Sequence, residues 1–144
     1  MKGNLTLSVS VLINSSSKRI WTVLTDPQEV RKWLFGTNMK TNWKEGSPIS
    51  YEGEYEGKTY RDKGIVKKFL PEKELQTTYW SSMSGKEDIP ENYNTVTYTL
   101  KQESDGTRLT LMQDNINSEK EKEHSLQNWK LVLGKIKEIV EGRF

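Results

Sequence analysis

The side chains that could do chemistry in this sequence are tyrosines, tryptophans and a glutamine, because the usual catalytic groups are scarce. His124 is the single histidine, and cysteine is absent. A serine nucleophile needs a histidine base that a third group orients. His124 stands in the charged run 119–124, which is typical of a solvated first helical turn. We therefore predict no catalytic triad, no cysteine nucleophile and no disulfide.

Metal and cofactor sites are not indicated either. A zinc site needs three or four histidine, cysteine or carboxylate ligands, and the first two are not available in that number. Gly53 and Gly57 are interpreted as strand or turn glycines and not as part of a phosphate-binding glycine loop. We predict no catalytic residue, no metal and no cofactor.

Acid–base chemistry stays open, because a carboxylate or tyrosine in an apolar cavity has a shifted pKa and can move a proton. Asp62 shares its strand phase with Val66, but the alternation alone does not decide which face Asp62 takes. No pair of residues is identified as catalytic. Tyr51, Tyr98 and Gln113 are instead suited to orient a carbonyl or a hydroxyl group by hydrogen bonding.

The composition predicts a single soluble domain spanning residues 1–144. Only 33% of the residues are hydrophobic, but five tryptophans and six tyrosines can fill a core or line a cavity. A net charge of +2 describes a mixed surface rather than a nucleic-acid-binding one. No apolar run approaches the roughly 20 residues that a membrane span needs. We predict a cytoplasmic protein with no nucleic-acid partner.

The first elements are one strand and two short helices. Residues 5–13 alternate between apolar and polar side chains, which predicts a half-buried strand. Residues 20–24 form a short helical stripe, and residues 26–29 carry a capping-box sequence that starts a second helix. Gly36 is well placed to end that helix.

Residues 37–115 are dominated by strand and turn patterns, with about six strands. We predict that Asp105–Gly106 is a two-residue hairpin loop, since both residues tolerate a positive φ. That loop would place Tyr98 opposite Gln113 and Leu100 opposite Leu111, all on one face of the sheet. A basic stretch at 58–73 is interpreted as a solvated strand face, with an anionic-ligand or partner patch as the alternative.

The C-terminal stretch 118–142 is predicted to be one amphipathic helix, capped by Ser118 and ended at Gly142. Its apolar stripe consists of Leu126, Trp129, Leu133, Ile136 and Val140. A sheet with one apolar face needs a cover, and this helix has a matching stripe. The predicted fold class is α+β, a helix-grip fold. An antiparallel sheet of about six to seven strands wraps a long C-terminal helix, and two short helices follow the first strand.

Several sequence stretches carry a resemblance to a known family. They are residues 20–27, residues 30–33, Gly64-Ile65-Val66 with Pro71 and Leu75, residues 106–111, and the terminal helix with Trp129. In this order they resemble the START-like superfamily, also called SRPBCC or Bet v-like. Within it, the chain looks like the C-terminal domain of the activator of the heat-shock protein 90 ATPase. Many members carry a histidine where Gln113 stands, so no role of that histidine transfers to this chain.

The resemblance implies a cavity between the long helix and the sheet. The residues expected to line it are Trp33, Trp43, Ile49, Tyr51, Tyr79, Tyr98, Gln113, Trp129 and Leu133. Mostly apolar walls with a few polar groups suit a small molecule. The alternative is that these aromatic side chains simply fill the core.

Three functions follow from the resemblance and the residues. The first is binding of a small hydrophobic, lipid-like ligand without chemistry. The second is a stress-related protein-interaction module that acts on a chaperone, and the third is a cyclase- or hydrolase-type enzyme that uses the cavity. We expect a monomer or a weak dimer, because the charged strand near residues 61–68 disfavours long edge-to-edge pairing.

Overall fold

The computed structural model describes residues 3–142 of the 144. Its elements, in chain order, are β1 (Leu5–Ile13), α1 (Ser17–Thr25), α2 (Pro27–Trp33), β2 (Asn38–Lys40), β3 (Pro48–Tyr55), β4 (Lys58–Leu70), β5 (Glu74–Tyr79), β6 (Asn94–Glu103), β7 (Gly106–Ile116) and α3 (Glu119–Glu141). A short 3-10 turn, Pro90–Asn92, lies between β5 and β6.

All seven strands form one antiparallel sheet in the order β1-β7-β6-β5-β4-β3-β2. The first strand thus pairs with the last, and α3 returns across the sheet to contact β1, α1 and α2. The predicted α+β helix-grip fold, with two short helices after the first strand, is confirmed. No helix in the described part of the chain combines the length and the apolar character that a membrane span requires.

The capping box predicted at residues 26–29 forms only in part. The Asp26 carboxylate accepts a 2.9 Å hydrogen bond from the Gln28 N–H, as an N-cap should. The Asp26 N–H, however, donates to the Thr22 carbonyl at the end of α1. The Glu29 carboxylate therefore cannot accept a hydrogen bond from that N–H, and it forms an ion pair with Lys32 at 3.1 Å instead.

The predicted register of the β6–β7 hairpin is wrong by two residues. The loop is Ser104–Asp105, and Gly106 opens β7 with a φ of 146°, so the positive φ falls on the glycine after the loop. The observed pairs are Val96 with Gln113, Tyr98 with Leu111 and Leu100 with Leu109. A shift of two preserves the face of every side chain, so all of the predicted inward positions remain inward.

Helix α3 buries three of the five residues predicted for its apolar stripe, together with two that were not predicted. Ser118 caps it by accepting from the Glu121 N–H at 3.2 Å, and Gly142 ends it with a φ of 76°. The buried side chains are Val132, Leu133, Ile136, Ile139 and Val140. Leu126 and Trp129 are only half-buried. The C-terminal half of α3 therefore packs into the core, while the N-terminal half stands over open space.

Strand β4 changes partners along its length. Lys58–Ile65 pair with β3, whereas Val66–Leu70 pair with β5, and a register irregularity lies between Val66 and Lys68. A bulge of this kind bends a strand and re-aims side chains near it. Gly64 lies at the change of partner, and a Cβ there would collide with the Thr78 carbonyl. The close approach of β4 and β5 at this point therefore requires glycine.

Candidate functional site

A cavity of about 780 Å³ lies between the N-terminal half of α3 and the inner face of the sheet. Strands β3 to β7 supply one wall, α3 supplies the opposite wall, and α2 with the segment after it closes one side. The open space exists because α3 leaves the sheet at its N-terminal half. Its volume falls within the range typical of small-molecule sites.

Seven of the nine predicted residues line this cavity. They are Trp33, Trp43, Tyr51, Tyr79, Tyr98, Gln113 and Trp129. Ile49 and Leu133 do not, since they are 1% and 2% exposed and lie within the packed core. Val132 takes the cavity-facing position on α3 instead. Beyond Val132 the helix closes onto β1 and α1, so Leu133 has no open space in front of it.

Two tryptophans are fixed by the carbonyl groups of α1. The Trp33 indole N–H donates to the Val23 carbonyl at 2.8 Å, and the Trp43 indole N–H donates to the Thr25 carbonyl at 3.2 Å. The Trp43 ring also stacks on Phe69 with centroids 5.3 Å apart. Because both polar edges are occupied, these rings present apolar surface to the cavity.

Trp129 on α3 contacts Tyr98 on β6 across the cavity wall. The Trp129 indole N–H donates to the Gln113 side-chain oxygen at 2.7 Å, and the Trp129 ring meets the Tyr98 ring edge-on at 6.3 Å. Within residues 3–142, the Tyr98 hydroxyl has no hydrogen-bond partner, although this side chain is only 8% exposed. Burial raises the pKa of Tyr98 well above its ordinary value.

Asp62 forms a polar cluster on the β3–β5 side of the cavity. Its carboxylate accepts a 2.6 Å hydrogen bond from the Tyr79 hydroxyl and a 3.0 Å hydrogen bond from the Ser82 N–H. The side chain of Asp62 borders the cavity and is 8% exposed. Burial, and then the hydrogen bond to Asp62, raise the pKa of Tyr79, so Tyr79 keeps the proton that it donates.

Tyr51 completes this polar cluster. Its ring meets the Tyr79 ring edge-on with centroids 5.8 Å apart. Burial raises the pKa of Tyr51, a hydrogen bond with the Thr77 side chain opposes that rise, and the Asp62 charge adds to it. The hydroxyl groups of Tyr51 and Tyr79 are thus held neutral beside one carboxylate.

Sequence reasoning left the orientation of Asp62 open and did not identify it as a site residue. The sequence does contain one indication that Asp62 points inward. Val66, which is fully buried, lies four positions further along the same strand and therefore on the same face. An acidic residue in phase with a buried valine is unusual, since buried carboxylates need compensating partners. Those partners, Tyr79 and Ser82, come from another strand and a loop, which the alternation could not show.

The mouth of the cavity carries exposed apolar side chains from three separate segments. Phe35 is 75% exposed, Tyr55 is 60% exposed and Met83 is 51% exposed, and all three border the cavity. Phe35 also holds a φ of 52°, which is uncommon for a bulky residue. His124 is exposed, as predicted, and borders the same opening.

The chemistry available in this cavity is hydrogen bonding within apolar walls. In the stretch from residue 3 to residue 142, no group of three or more histidine, cysteine or carboxylate side chains is arranged to hold a metal ion. The polar groups of the cavity include the hydroxyl of Tyr98, the Gln113 amide, and Asp62 with Tyr51 and Tyr79. Such a set can orient a bound molecule by its polar end.

Comparison with known proteins gives a family for this chain. Residues 14–141 match the family model described as Activator of Hsp90 ATPase homolog 1-like protein. A solution structure of ChR145 from Cytophaga hutchinsonii is 38% identical, with a TM-score of 0.87, over 99% of this chain and 98% of that one. Among curated proteins, none matches this chain.

More distant solved structures share the fold. The Aha1 dimer from Colwellia psychrerythraea is 18% identical with a TM-score of 0.76, over 96% of this chain and 98% of that one. CalU16 from Micromonospora echinospora is 18% identical with a TM-score of 0.75, over 100% of this chain and 84% of that one. The match over residues 14–141 shows that the chain belongs to the family of Activator of Hsp90 ATPase homolog 1-like proteins.

Proposed function

We propose that this domain binds a small, mostly apolar molecule in the cavity and orients it by hydrogen bonds from Tyr98 and Gln113. The observation that carries this proposal is Tyr98, a largely buried side chain that borders the cavity and whose hydroxyl has no hydrogen-bond partner in the described part of the chain. A hydroxyl that is open to a mostly apolar cavity can donate a hydrogen bond to a ligand there and accept one from it. A cytoplasmic location is proposed with it.

The walls support a ligand that is apolar along most of its length. Rings and aliphatic side chains, among them Trp33, Trp43, Leu75 and Val132, supply most of the surface. Hydrophobic contact provides the affinity in such a site, and a few polar groups provide the orientation. The exposed apolar mouth offers a path from water into the cavity.

The first experiment asks whether anything binds in the cavity. Native mass spectrometry of freshly purified protein reveals a retained ligand, and 1-decanol serves as the defined probe in a melting-temperature assay. Binding to the native state raises the melting temperature by mass action. Absence of any shift at saturating 1-decanol would contradict the proposal.

A matched pair of variants locates the binding. Asn128 and Leu131 are both exposed on α3, but only Asn128 borders the cavity. We expect Asn128→Trp to fill part of the cavity and abolish the shift with 1-decanol, while Leu131→Trp retains it. Equal shifts in the two variants would place the probe elsewhere on the protein.

Tyr98→Phe tests the orienting hydroxyl. We expect it to weaken 1-decanol by about fivefold to tenfold, the effect of one lost hydrogen bond, while decane binding is unchanged. If both probes bind Tyr98→Phe as they bind the unaltered protein, Tyr98 takes no part in orienting the ligand.

A second candidate function is contact with a chaperone, because the matched family is described by activation of the Hsp90 ATPase. One structural neighbour is described as a dimer, and we propose weak self-association of this domain as a separate possibility. The test is the ATPase rate of the chaperone with and without this domain. A rate increase of several-fold supports the candidate, and an unchanged rate at saturating domain concentration contradicts it.

A further inference from the structure

Asp62 is a buried acid with no cationic partner. It is 8% exposed, and no lysine or arginine of residues 3–142 forms an ion pair with it. Its neighbours Arg61 and Lys63 face other acids, Glu52 and Asp88. The carboxylate is held instead by two neutral donors, which do not cancel its charge.

From this geometry we propose that the natural ligand of the cavity carries a protonated amine, which Asp62 binds. The inference rests on the proposed ligand-binding function and narrows it to a chemical class, an apolar molecule with an ammonium group. A carboxylate accepts about four hydrogen bonds, and Tyr79 and Ser82 supply two of them. The remaining capacity is available to a donor that enters the cavity.

The surroundings of Asp62 favour a cation over other donors. The Tyr51 and Tyr79 rings lie beside it, and aromatic faces attract cations. A buried charge without a partner is costly, and an ammonium group is the donor that removes this cost most fully. A neutral alcohol adds one hydrogen bond and leaves the charge in place. A carboxylate ligand adds a second negative charge.

The other charged groups of the cavity wall lie where water screens them. Glu54, Lys86 and His124 border the cavity, and all three are exposed. The net charge of the chain is +2, so a general electrostatic attraction would favour an anion over a cation. A preference for an amine therefore has to arise from the local site.

The test compares three probes of equal chain length, decylamine, 1-decanol and decanoate. Their dissociation constants are measured by isothermal titration calorimetry at pH 7, below the concentrations at which they form micelles. For the unaltered protein we expect decylamine to bind at least about tenfold more tightly than 1-decanol, and decanoate to bind most weakly. This comparison needs no variant and tests the inference by itself.

Three variants separate the charge of Asp62 from its structural role. Asp62→Asn should reduce the preference for decylamine over 1-decanol to within about threefold. Tyr79→Phe removes one hydrogen bond but keeps the carboxylate, so the preference should persist. Glu54→Gln removes one negative charge from an exposed position on the same cavity and should change nothing.

The outcomes distinguish the two proposals. Equal binding of decylamine and 1-decanol to the unaltered protein would overturn the amine inference and leave the ligand-binding proposal standing. The same holds if Asp62→Asn folds and keeps the full preference. Failure of all three probes to bind would overturn both proposals.

Discussion

The indole N–H of Trp129 donates a 2.7 Å hydrogen bond to the side-chain oxygen of Gln113 and so ties α3 to β7. Both residues border the cavity, and the bond spans the place where α3 stands away from the sheet. This hydrogen bond therefore holds the N-terminal half of α3 in place over the cavity. The Tyr98 ring packs edge-on against the same indole, which orients Trp129 from a second direction.

Loss of the hydrogen bond between Trp129 and Gln113 should lower the free energy of unfolding. Gln113→Leu leaves the half-buried indole N–H without its partner, and we expect the free energy of unfolding to fall by ~1–3 kcal/mol. Combining it with Trp129→Phe should cost less than the sum of the two single changes, with a coupling of ~1 kcal/mol. Urea unfolding of the unaltered protein, the two single variants and the double variant measures the coupling. Strict additivity would show that the bond contributes nothing.

Alkaline pH should destabilise the protein through three tyrosines that line the cavity. Burial raises the pKa of Tyr51, Tyr79 and Tyr98 above their ordinary value near 10. Above about pH 10 the unfolded chain therefore releases protons that the folded chain retains, so these tyrosines stabilise the fold fully below that pH and less as the pH rises through their folded pKa.

Tyr98→Phe isolates one part of this effect. We expect its free energy of unfolding to fall between pH 8 and pH 11 by ~1.4 kcal/mol less than that of the unaltered protein, because one titrating group is gone. The measurement is urea unfolding of both proteins at the two pH values. An equal decrease in the free energy of unfolding for both proteins would mean that Tyr98 ionises equally easily in the folded and unfolded states.

Two glycines should respond in opposite directions to alanine. Gly64→Ala places a Cβ against the Thr78 carbonyl, and because backbone cannot move aside easily, we expect a loss of ~1–3 kcal/mol. Gly134→Ala is the matched control, since it lies within α3 with no neighbouring atom within 4 Å of the added Cβ. The greater helix propensity of alanine should raise stability there by ~1 kcal/mol. A stabilising Gly64→Ala would contradict the close approach of β4 and β5.

Asn115 should control how firmly the segment between β5 and β6 is held. Its side-chain amide donates to the carbonyl groups of Glu91 at 2.8 Å and Tyr93 at 2.9 Å, and its oxygen accepts from the Gly3 N–H. We expect Asn115→Ala to cost about 2 kcal/mol or more in urea unfolding and to speed amide hydrogen exchange in residues 89–93.

The control for Asn115 separates backbone strain from hydrogen bonding. Its φ of 54° is one that asparagine and glycine tolerate better than alanine. Asn115→Gly relieves the strain but still lacks the three bonds, so it should recover only part of the loss. Full recovery in Asn115→Gly would show that conformation, rather than hydrogen bonding, explains the effect.

Much of the fold could be predicted from the sequence, because the relevant signals are local. The alternation in residues 5–13, the caps at Ser118 and Gly142, and the stripe along α3 each depend on residues a few positions apart. The resemblance supplied the expectation of a cavity between the long helix and the sheet. Seven of the nine predicted lining residues border that cavity, and strand alternation identifies the inward position of four of them, Tyr51, Tyr79, Tyr98 and Gln113.

The remaining features depend on contacts between distant segments. Strand alternation places Ile49 on the inner face, and the helical stripe does the same for Leu133. Only the packing shows that the core closes over both while Trp129 meets open space. The hairpin register depended on which residue takes the positive φ, and Gly106 takes it after the loop rather than within it.

Asp62 shows the division most clearly. Its position on β4 is a matter of sequence, but its burial requires a hydroxyl from β5 and an N–H from the following loop. A carboxylate without those donors would remain in water, because burial of a charge costs more than the surrounding apolar contacts return. Local patterns along the chain therefore specify the elements and their inward faces. Contacts between distant segments decide which inward residues close the core and which surround a cavity with a buried acid.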